Sequence, residues 1–395
     1  MALQMQGLFM RFLFLFLCLS LFSKQLEVEV SARSAILMNA DTGAVLFEKH
    51  AHIPAYPAST TKVATALYVL DQQIDLEKHA TVSAECLKGR SLAERDHHYW
   101  LDSDGTVMGL KRGEVLTIDT LLHGLMLVSG NDAANTIAES LAGSIPKFME
   151  MLNEYLQSIG CKNTQFRNPH GLTHPEHFST AYDMALITKK ALQIPKFRKI
   201  VSTLVFLKPK SNKQPEREIK LTNPLMKPNS RYYYNKAIGV KTGHTAAAQD
   251  TLVAAAEHEG RTLIAVLLGC EKSGDRYEDA KRLFETAFNE PKATRRLMGP
   301  ENIFTKEMEG SKVPLKAAVA KGVTIEYFPS EEPKCKAALH WSVDALPIQK
   351  GQKVGEVQIK DENNQILQKG DLVALEEVKG TLLFVLKEKF AKLFR

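Results

Sequence analysis

Residues 238–270 read IGVKTGHTAAAQDTLVAAAEHEGRTLIAVLLGC, and this stretch decides the fold class. It divides into three runs, 239–245, 251–256 and 262–269, which short connections rich in Ala and Gly separate. Runs of this length predict β-strands, and residues 257–261 predict a hairpin turn between the last two. Strands that follow one another so closely are expected to pair antiparallel, since a parallel pair needs a long crossover connection.

The chain on either side of this stretch predicts helices and a further pair of strands. Residues 34–47 have the pattern of two strands around the turn Asp41-Thr42-Gly43. Helical patterns cover residues 59–72, 120–141, 180–192 and 276–288. Helices between flanking strands, with the late strands adjacent in sequence, favour an α+β domain built on an antiparallel sheet.

The character of the sequence changes after residue 290. Residues 300–378 contain short β-like runs and glycine-containing turns, which predict a separate small β domain. Residues 380–395 then carry Leu and Phe on one helical face and charged side chains on the other. This segment is too charged to span a membrane, so it predicts an amphipathic helix that anchors the chain at a membrane surface. A helix docked on its own domain is the alternative.

Composition excludes several classes of protein. The 395 residues carry 51 Lys and Arg against 45 Asp and Glu, and 44% of them are hydrophobic. These proportions are ordinary for a globular chain and exclude a disordered tail, a collagen-like chain and a polytopic membrane protein. Residues 196–236 hold eleven of the basic side chains against Glu216 and Glu218. We interpret this stretch as solvated strands and a loop, with attraction to an anionic surface as the alternative.

Residues 1–32 have the pattern of a signal peptide. Arg11 precedes an uncharged run over residues 12–23, which is rich in Phe and Leu. About twelve residues are too few to span a bilayer, which takes roughly 20, but they suit the apolar region of a signal peptide. Cleavage is predicted after Ser23 or Ala32, and we expect an exported protein. The four cysteines beyond this segment have no metal-binding spacing and do not suggest a disulfide framework.

Three short motifs carry chemistry. In Ser59-Thr60-Thr61-Lys62, residues i and i+3 of a helix share a face, so the amine of Lys62 can reach the hydroxyl of Ser59. The other two motifs are Ser129-Gly130-Asn131, within a helical region, and Lys241-Thr242-Gly243, where a glycine lets a ligand approach a strand closely. Each motif is weak evidence alone. A second S-x-x-K, at Ser144 to Lys147, is interpreted as chance.

In this order and spacing, the three motifs resemble the S-x-x-K, S-x-N and K-T-G elements of penicillin-binding proteins and serine β-lactamases. The mature chain resembles more closely the serine-type D-Ala-D-Ala carboxypeptidases of low molecular mass, the S11 peptidases. The segments that carry this resemblance are Tyr56-Pro57-Ala58-Ser59-Thr60-Thr61-Lys62, Phe166-Arg167-Asn168-Pro169-His170-Gly171-Leu172, Ser179-Thr180-Ala181-Tyr182-Asp183-Met184-Ala185 and Lys241-Thr242-Gly243-His244-Thr245. The resemblance implies a DD-peptidase/β-lactamase-like catalytic domain over residues 33–290, followed by the β domain and the anchor helix.

Two stretches refine the comparison. Gln249-Asp250 departs from the resembled family, which more often carries a small residue and an aromatic residue there. Residues 165–172 correspond to the loop in which class A β-lactamases carry a deacylating glutamate, and this stretch contains none. Rapid hydrolysis of a penicilloyl ester is therefore not expected.

The resemblance implies acyl transfer through a serine ester. Ser59 attacks the carbonyl between two terminal D-alanines, Lys62 accepts its proton, and Ser129 passes a proton to the departing nitrogen. Lys62 has to lose its charge near neutral pH, and burial together with the like charge of Lys241 could lower its pKa enough. Water then attacks the ester, with Lys62 again as the base.

The same resemblance assigns the substrate-binding residues, which are Asn131, Lys241, Thr242, Gly243, His244 and Arg276. Asn131 holds the substrate amide, and the backbone N–H groups of Ser59 and His244 form the oxyanion hole. Lys241, Thr242 and Arg276 face the terminal carboxylate.

The expected partners are peptidoglycan stem peptides, β-lactam antibiotics and the membrane surface, and no nucleic acid, metal or organic cofactor is expected. The expected location is the periplasmic face of the cytoplasmic membrane. Two alternatives remain open. One is a D,D-endopeptidase that cuts peptidoglycan crosslinks, and the other is a non-catalytic scaffold that binds peptidoglycan.

Overall fold

The structure is a computed structural model that describes residues 24–89, 99–102 and 105–393, with only the backbone described for residues 388–393. The apolar run predicted as part of a signal peptide therefore lies outside the described residues. The chain divides into two compact units, Gln25–Asn289 and one that contains Glu290–Arg395.

The first unit contains a central five-stranded sheet, two small two-stranded sheets and a set of helices. Its strands are β1 (Ser34–Asn39), β2 (Val45–Lys49), β3 (His79–Thr81), β4 (Val115–Thr117), β5 (Val205–Lys208), β6 (Arg217–Lys220), β7 (Ala237–Thr245), β8 (Gln249–His258) and β9 (Arg261–Cys270). Its helices are α1 (Lys62–Asp71), α2 (Ile118–Leu127), α3 (Asn131–Ala142), α4 (Ile145–Ser158), α5 (Ala181–Leu192), α6 (Pro195–Ser202) and α7 (Asp275–Phe288).

The central sheet confirms the predicted antiparallel architecture. Its strand order is β2-β1-β9-β8-β7, and every neighbouring pair is antiparallel. The predicted hairpin turn over residues 257–261 is too long, because Glu257 pairs with Thr262 and His258 with Arg261. Only Glu259 and Gly260 form the turn, and both have positive φ angles.

Alternate side chains of the sheet enter two different cores. On β1, Ile36 and Met38 pack in the core that contains most of the helices, including α1 and α5. Ala35 and Leu37 pack in the second core with α7. Because successive residues of a strand point to opposite faces, the sheet is covered by helices on both sides.

The helical region predicted over residues 120–141 is interrupted. Helix α2 ends at Leu127 and α3 begins at Asn131, so the Ser129-Gly130-Asn131 motif lies at a break between two helices. Ser129 has a φ of +62°, in the left-handed region that ends a right-handed helix. The prediction that the motif lies within a helical region is wrong in this respect, and the break turns the chain at the motif.

The basic stretch over residues 196–236 is less uniformly solvated than predicted. Lys208 on β5 is fully buried, and its Nζ lies 3.0 Å from Oε1 of the equally buried Glu114. Ser211 Oγ and Gln214 Nε2 also donate to this carboxylate. A buried lysine is retained here because a hydrogen-bonded carboxylate compensates its charge.

The second unit is the small β domain, and its sheet order is β11-β12-β16-β15-β14, with β10 paired to β13. Its strands are β10 (Ala293–Met298), β11 (Ile303–Lys306), β12 (Leu315–Val319), β13 (Val323–Tyr327), β14 (Lys336–Trp341), β15 (Lys353–Lys360) and β16 (Ile366–Ala374). Helix α8 (Leu382–Leu393) follows, and Leu382 and Leu383 are each 79% exposed. Among the described residues, no helix combines the length and the apolar character that crossing a membrane requires.

Candidate active site

Ser59 and Lys62 lie at the start of α1. A 3₁₀ turn over Ala58–Thr61 leads into the helix, and Lys62 is its first residue. Lys62 Nζ lies 3.0 Å from Ser59 Oγ, as the i, i+3 spacing predicts. The second S-x-x-K motif does not form such a pair, because Ser144 caps α4 and Lys147 is exposed in an ion pair with Glu150. Its interpretation as chance agrees with this geometry.

The amine of Lys62 is fully buried among oxygen atoms. Its Nζ lies 2.7 Å from Asn131 Oδ1 and 2.7 Å from the carbonyl oxygen of His170. A neutral amine has two N–H donors and one lone pair. If the two donors satisfy Asn131 and His170, the lone pair is directed at the hydroxyl of Ser59, which is the arrangement that a general base requires.

The electrostatic surroundings favour this neutral form. Burial is the largest cause that holds the pKa of Lys62 well below its ordinary value of 10.5, and the positive charge of Lys241 acts in the same direction. Asp132 opposes the shift. Lys241 is itself buried, and burial together with the charge of Arg276 lowers its pKa to about 7. The two causes predicted from the sequence for Lys62 are therefore both present.

The edge strand β7 brings the K-T-G motif against Ser59. Lys241 is buried, and its Nζ donates to the carbonyl of Thr242 at 2.7 Å. A Cβ atom on Gly243 would lie 2.9 Å from the backbone nitrogen of Ser59 and 2.3 Å from Thr251 Oγ1. Only glycine permits this approach, so the strand and the start of α1 meet at Ser59.

The turn that carries Ser129 is fixed from outside by residues 106–110. Thr106 Oγ1 donates to the carbonyl of Ser129 at 2.8 Å, and the N–H of Asn131 donates to the carbonyl of Thr106 at 2.9 Å. The carboxylate of Asp132 accepts the N–H groups of Met108, Gly109 and Leu110 at 2.7, 2.8 and 2.9 Å. These bonds hold Asn131 where its side chain contacts Lys62. Among the described residues, no hydrogen bond uses the Ser129 hydroxyl.

Residues 166–172 supply a part of the site to which the sequence analysis assigned no role. The carbonyl of His170 contacts Lys62, and Thr65 Oγ1 on α1 donates to the carbonyl of Pro169 at 2.7 Å. Gly171 has a φ of +97°, and a Cβ atom there would lie 1.9 Å from the carbonyl oxygen of Ala58. The resemblance of this segment to the family indicated that it matters. The contact itself could not be predicted, because a backbone carbonyl does not require a particular residue type at position 170.

Arg276 and His244 meet at one carboxylate. Arg276, near the start of α7, donates through Nη1 to the carbonyls of Gly243 at 2.6 Å and Thr251 at 3.2 Å. Its Nη1 also lies 3.2 Å from Asp250 Oδ1, which lies 2.8 Å from His244 Nδ1. The structure therefore brings Arg276 to the K-T-G strand, and it adds Asp250, which the sequence analysis noted only as a departure.

The chain is similar to known proteins over most of its length. Residues 22–272 match the family model of the D-alanyl-D-alanine carboxypeptidases, Peptidase S11, and residues 302–380 match the C-terminal domain of penicillin-binding protein 5. The chain is 28% identical to the D-alanyl-D-alanine carboxypeptidase DacF of Bacillus subtilis over 89% of this chain and 87% of that protein. It is 30% identical to DacC of Escherichia coli, over 93% of this chain and 90% of the relative.

Solved structures give the same result for the fold. The crystal structure of penicillin-binding protein 5 from Haemophilus influenzae superposes with a TM-score of 0.61 at 26% identity, covering 90% of this chain and all of that chain. This similarity confirms the α+β catalytic fold and the small C-terminal β domain. The chain thus belongs to the D-alanyl-D-alanine carboxypeptidase family, the S11 serine peptidases.

Proposed function

We propose that this chain removes the terminal D-alanine from peptidoglycan stem pentapeptides through a covalent acyl-enzyme on Ser59. The observation that carries the proposal is the contact between Ser59 Oγ and the buried amine of Lys62, whose pKa burial holds well below its ordinary value. Family membership supports the assignment of the D-Ala-D-Ala bond as the one that is cut. The contact between Ser59 and Lys62 supports the mechanism of attack by a serine with a lysine base.

In the proposed first step, Ser59 Oγ bonds to the carbonyl carbon of the penultimate D-alanine while its proton passes to Lys62. The carbonyl oxygen becomes an oxyanion, which the N–H groups of Ser59 and His244 stabilise; one such donor contributes about 10²–10³ in rate. The C–N bond then breaks as Ser129 donates its hydroxyl proton to the nitrogen of the departing D-alanine and takes up the proton held by Lys62, so that both side chains return to their starting states. Water next attacks the ester while neutral Lys62 takes its proton, and this proton passes to Ser59 Oγ as the ester bond breaks, which releases the product acid and restores the hydroxyl of Ser59.

Substrate binding is proposed to use the open edge of the sheet. Strand β7 is the last strand in the sheet order, so its outer edge can pair with an extended peptide. Asn131 would hold the substrate amide. Lys241, when charged, and Thr242 would bind the terminal carboxylate with the help of Arg276.

The same machinery is proposed to react with β-lactam antibiotics. Ser59 would open the lactam ring and keep the product as an ester, since Gln165 to Leu172 contains no glutamate that could activate a deacylating water. A long-lived acyl-enzyme is therefore expected, and its mass can be measured on the intact protein.

Export and attachment to the periplasmic face of the cytoplasmic membrane are also proposed. The support for attachment is α8, which exposes Leu382, Leu383, Val385 and Leu386. An apolar face of this kind favours the boundary between lipid headgroups and acyl chains. Deletion of residues 380–395 should move the protein from the membrane fraction to the soluble one. Retention in the membrane fraction would exclude α8 as the anchor.

The experiment that tests the activity uses the purified full chain and a stem pentapeptide, and it measures free D-alanine and peptide mass. Release of one D-alanine by the wild type and none by Ser59→Ala is expected. A D,D-endopeptidase would instead cut a crosslinked dimer and leave the pentapeptide intact. If neither substrate reacts and a fluorescent penicillin does not label Ser59, the chain acts as a scaffold.

A further inference from the structure

Asp250 lies beside the side chain that is expected to bind the substrate carboxylate. It is directly opposite His244 in the β7–β8 pairing, at the position where the sequence departs from the resembled family. The side chains of Asp250 and Arg276 are 9% and 12% exposed, and their charged atoms approach to 3.2 Å. At such low exposure the two charges are weakly screened by solvent.

The contacts of Arg276 show that its charge is already compensated. Its Nη1 bonds to the carbonyl of Gly243 and faces Asp250 Oδ1. Arg276 Nε and Asp250 Oδ2 are buried without a hydrogen-bond partner in the described structure. The ion pair is therefore formed by Nη1 of Arg276 and Oδ1 of Asp250. The two opposite charges sum to zero next to the K-T-G strand.

A carboxylate at this position opposes the binding of a second carboxylate. A substrate that ends in a free carboxylate has to approach Arg276 while the like charge of Asp250 stays within hydrogen-bond distance of that arginine. Like charges at this range raise the energy of the bound state, whereas a neutral residue at position 250 would leave the full charge of Arg276 to the substrate. An uncharged terminal amide does not experience this repulsion.

We propose that Asp250 is a specificity-determining residue that reduces the preference for a free terminal carboxylate and admits acyl-D-alanyl substrates with an uncharged terminus, such as D-alanyl amides. The proposal rests on the proposed carboxypeptidase function, because it concerns the substrate of the same site. Carboxylate recognition then depends mainly on Lys241 and Thr242.

The test compares two peptides, one ending in D-Ala-D-Ala with a free carboxylate and one with the same sequence ending in a carboxamide. The measured quantity is the ratio of their kcat/KM values with the purified full chain. Asp250→Asn keeps the shape of the side chain and removes its charge, so it should raise the ratio about tenfold in favour of the free carboxylate. The gain should come mainly from a lower KM for that peptide.

A matched control removes the same charge elsewhere on β8. Glu257→Gln lies near the far end of the strand, where Glu257 pairs with Arg198, and should leave the ratio unchanged. A purely structural role of Asp250 would lower the activity on both peptides together and leave their ratio unmoved. An unchanged ratio in Asp250→Asn, with a wild-type melting temperature, would overturn the inference.

A second variant tests the coupling with Arg276. Arg276→Gln should lower the ratio of kcat/KM for the free carboxylate over the carboxamide several times more in the Asp250→Asn background than in the wild type. The reason is that the charge of Arg276 is uncompensated only in the Asp250→Asn background. Equal losses in both backgrounds would show that Asp250 does not neutralise Arg276. Failure of the proposed function is distinguishable, since the wild type would then release D-alanine or its amide from neither peptide.

Discussion

At the scale of single residues, the charge of Lys62 decides whether Ser59 has an acceptor for its proton. The buried amine has three oxygen contacts, of which only the hydroxyl of Ser59 can donate. Burial makes the charged form unfavourable, and the protein compensates with polar contacts that a neutral amine can still make. This combination activates the serine without a histidine in the proposed mechanism.

A variant that cannot lose its charge tests this role. Lys62→Arg keeps a long cationic side chain, but a guanidinium stays protonated in proteins and cannot accept the proton. We expect acylation by a fluorescent penicillin to slow by about 10²–10⁴. The matched control is Lys147→Arg in the second S-x-x-K motif, which should acylate at the wild-type rate. Equal rates for all three proteins would show that Lys62 is not the base.

The pH dependence of kcat/KM follows from the two lysines. Lys62 has to be neutral, so activity should rise with pH through its lowered pKa. Lys241 has to be charged to attract a carboxylate, so activity should fall again as pH passes its pKa of about 7. A bell-shaped profile is therefore expected for a peptide with a free carboxylate.

The falling limb has its own control. A peptide that ends in a carboxamide carries no charge for Lys241 to attract, so its kcat/KM should not fall through this limb. If both peptides lose activity together at alkaline pH, the fall has a cause other than the charge of Lys241.

At the scale of elements, the break between α2 and α3 depends on Asp132. Its carboxylate accepts three N–H groups from residues 108–110, and this loop in turn holds the Ser129 turn. In Asp132→Asn the amide nitrogen cannot accept the N–H groups of Gly109 and Leu110, which leaves buried donors unsatisfied. We expect the free energy of unfolding to fall by about 2–4 kcal/mol in urea denaturation.

The same variant has an electrostatic effect that a structural role alone would not produce. Asp132 raises the pKa of Lys62, so its neutralisation should move the rising limb of the pH profile to lower pH. A loss of stability with an unmoved limb would limit Asp132 to holding the loop. A limb that moves to higher pH would contradict the electrostatic role.

Elements differ in how well the sequence predicts them. The strands over residues 251–256 and 262–269 were predictable because each is an apolar run of strand length bounded by turn residues, whereas a helix usually needs about ten residues or more. The break at Ser129 was not, since a left-handed residue between two helices leaves the apolar periodicity largely intact. The contact of His170 was hidden for a similar reason, because a backbone carbonyl can come from any residue. Asp250 was visible as a departure, but its partner Arg276 lies on another element and only the fold brings them together.

At the scale of the whole molecule, the contacts of the segment before Arg33 bear on the two cleavage sites predicted for the proposed signal peptide. The N–H groups of Ser31 and Ala32 donate to Asp279 at 2.7 and 3.1 Å, and the N–H of Leu26 donates to the carbonyl of Leu46 at 2.8 Å. Ala32 is buried in the core with α7. Cleavage after Ala32 would remove these partners from a buried carboxylate, so we expect cleavage after Ser23.

Two measurements check this expectation. If the chain is exported and cleaved as proposed, its N-terminal sequence should begin at Lys24. A chain that begins at Arg33 should have a free energy of unfolding about 2–3 kcal/mol lower than one that begins at Lys24. The reason is that the carboxylate of Asp279 loses the N–H donors of Ser31 and Ala32. A mature protein that begins at Arg33 with unchanged stability would contradict the importance of this segment.

The most direct test of the central claim is mass spectrometry of the acylated protein. The full chain is mixed with a stem pentapeptide or a penicillin, quenched with acid and digested, and free D-alanine is measured in the pentapeptide sample. We predict an acyl adduct on the peptide that contains Ser59, together with released D-alanine, and neither in Ser59→Ala. Release of D-alanine by Ser59→Ala, or an adduct on a different residue, would contradict acyl transfer through Ser59.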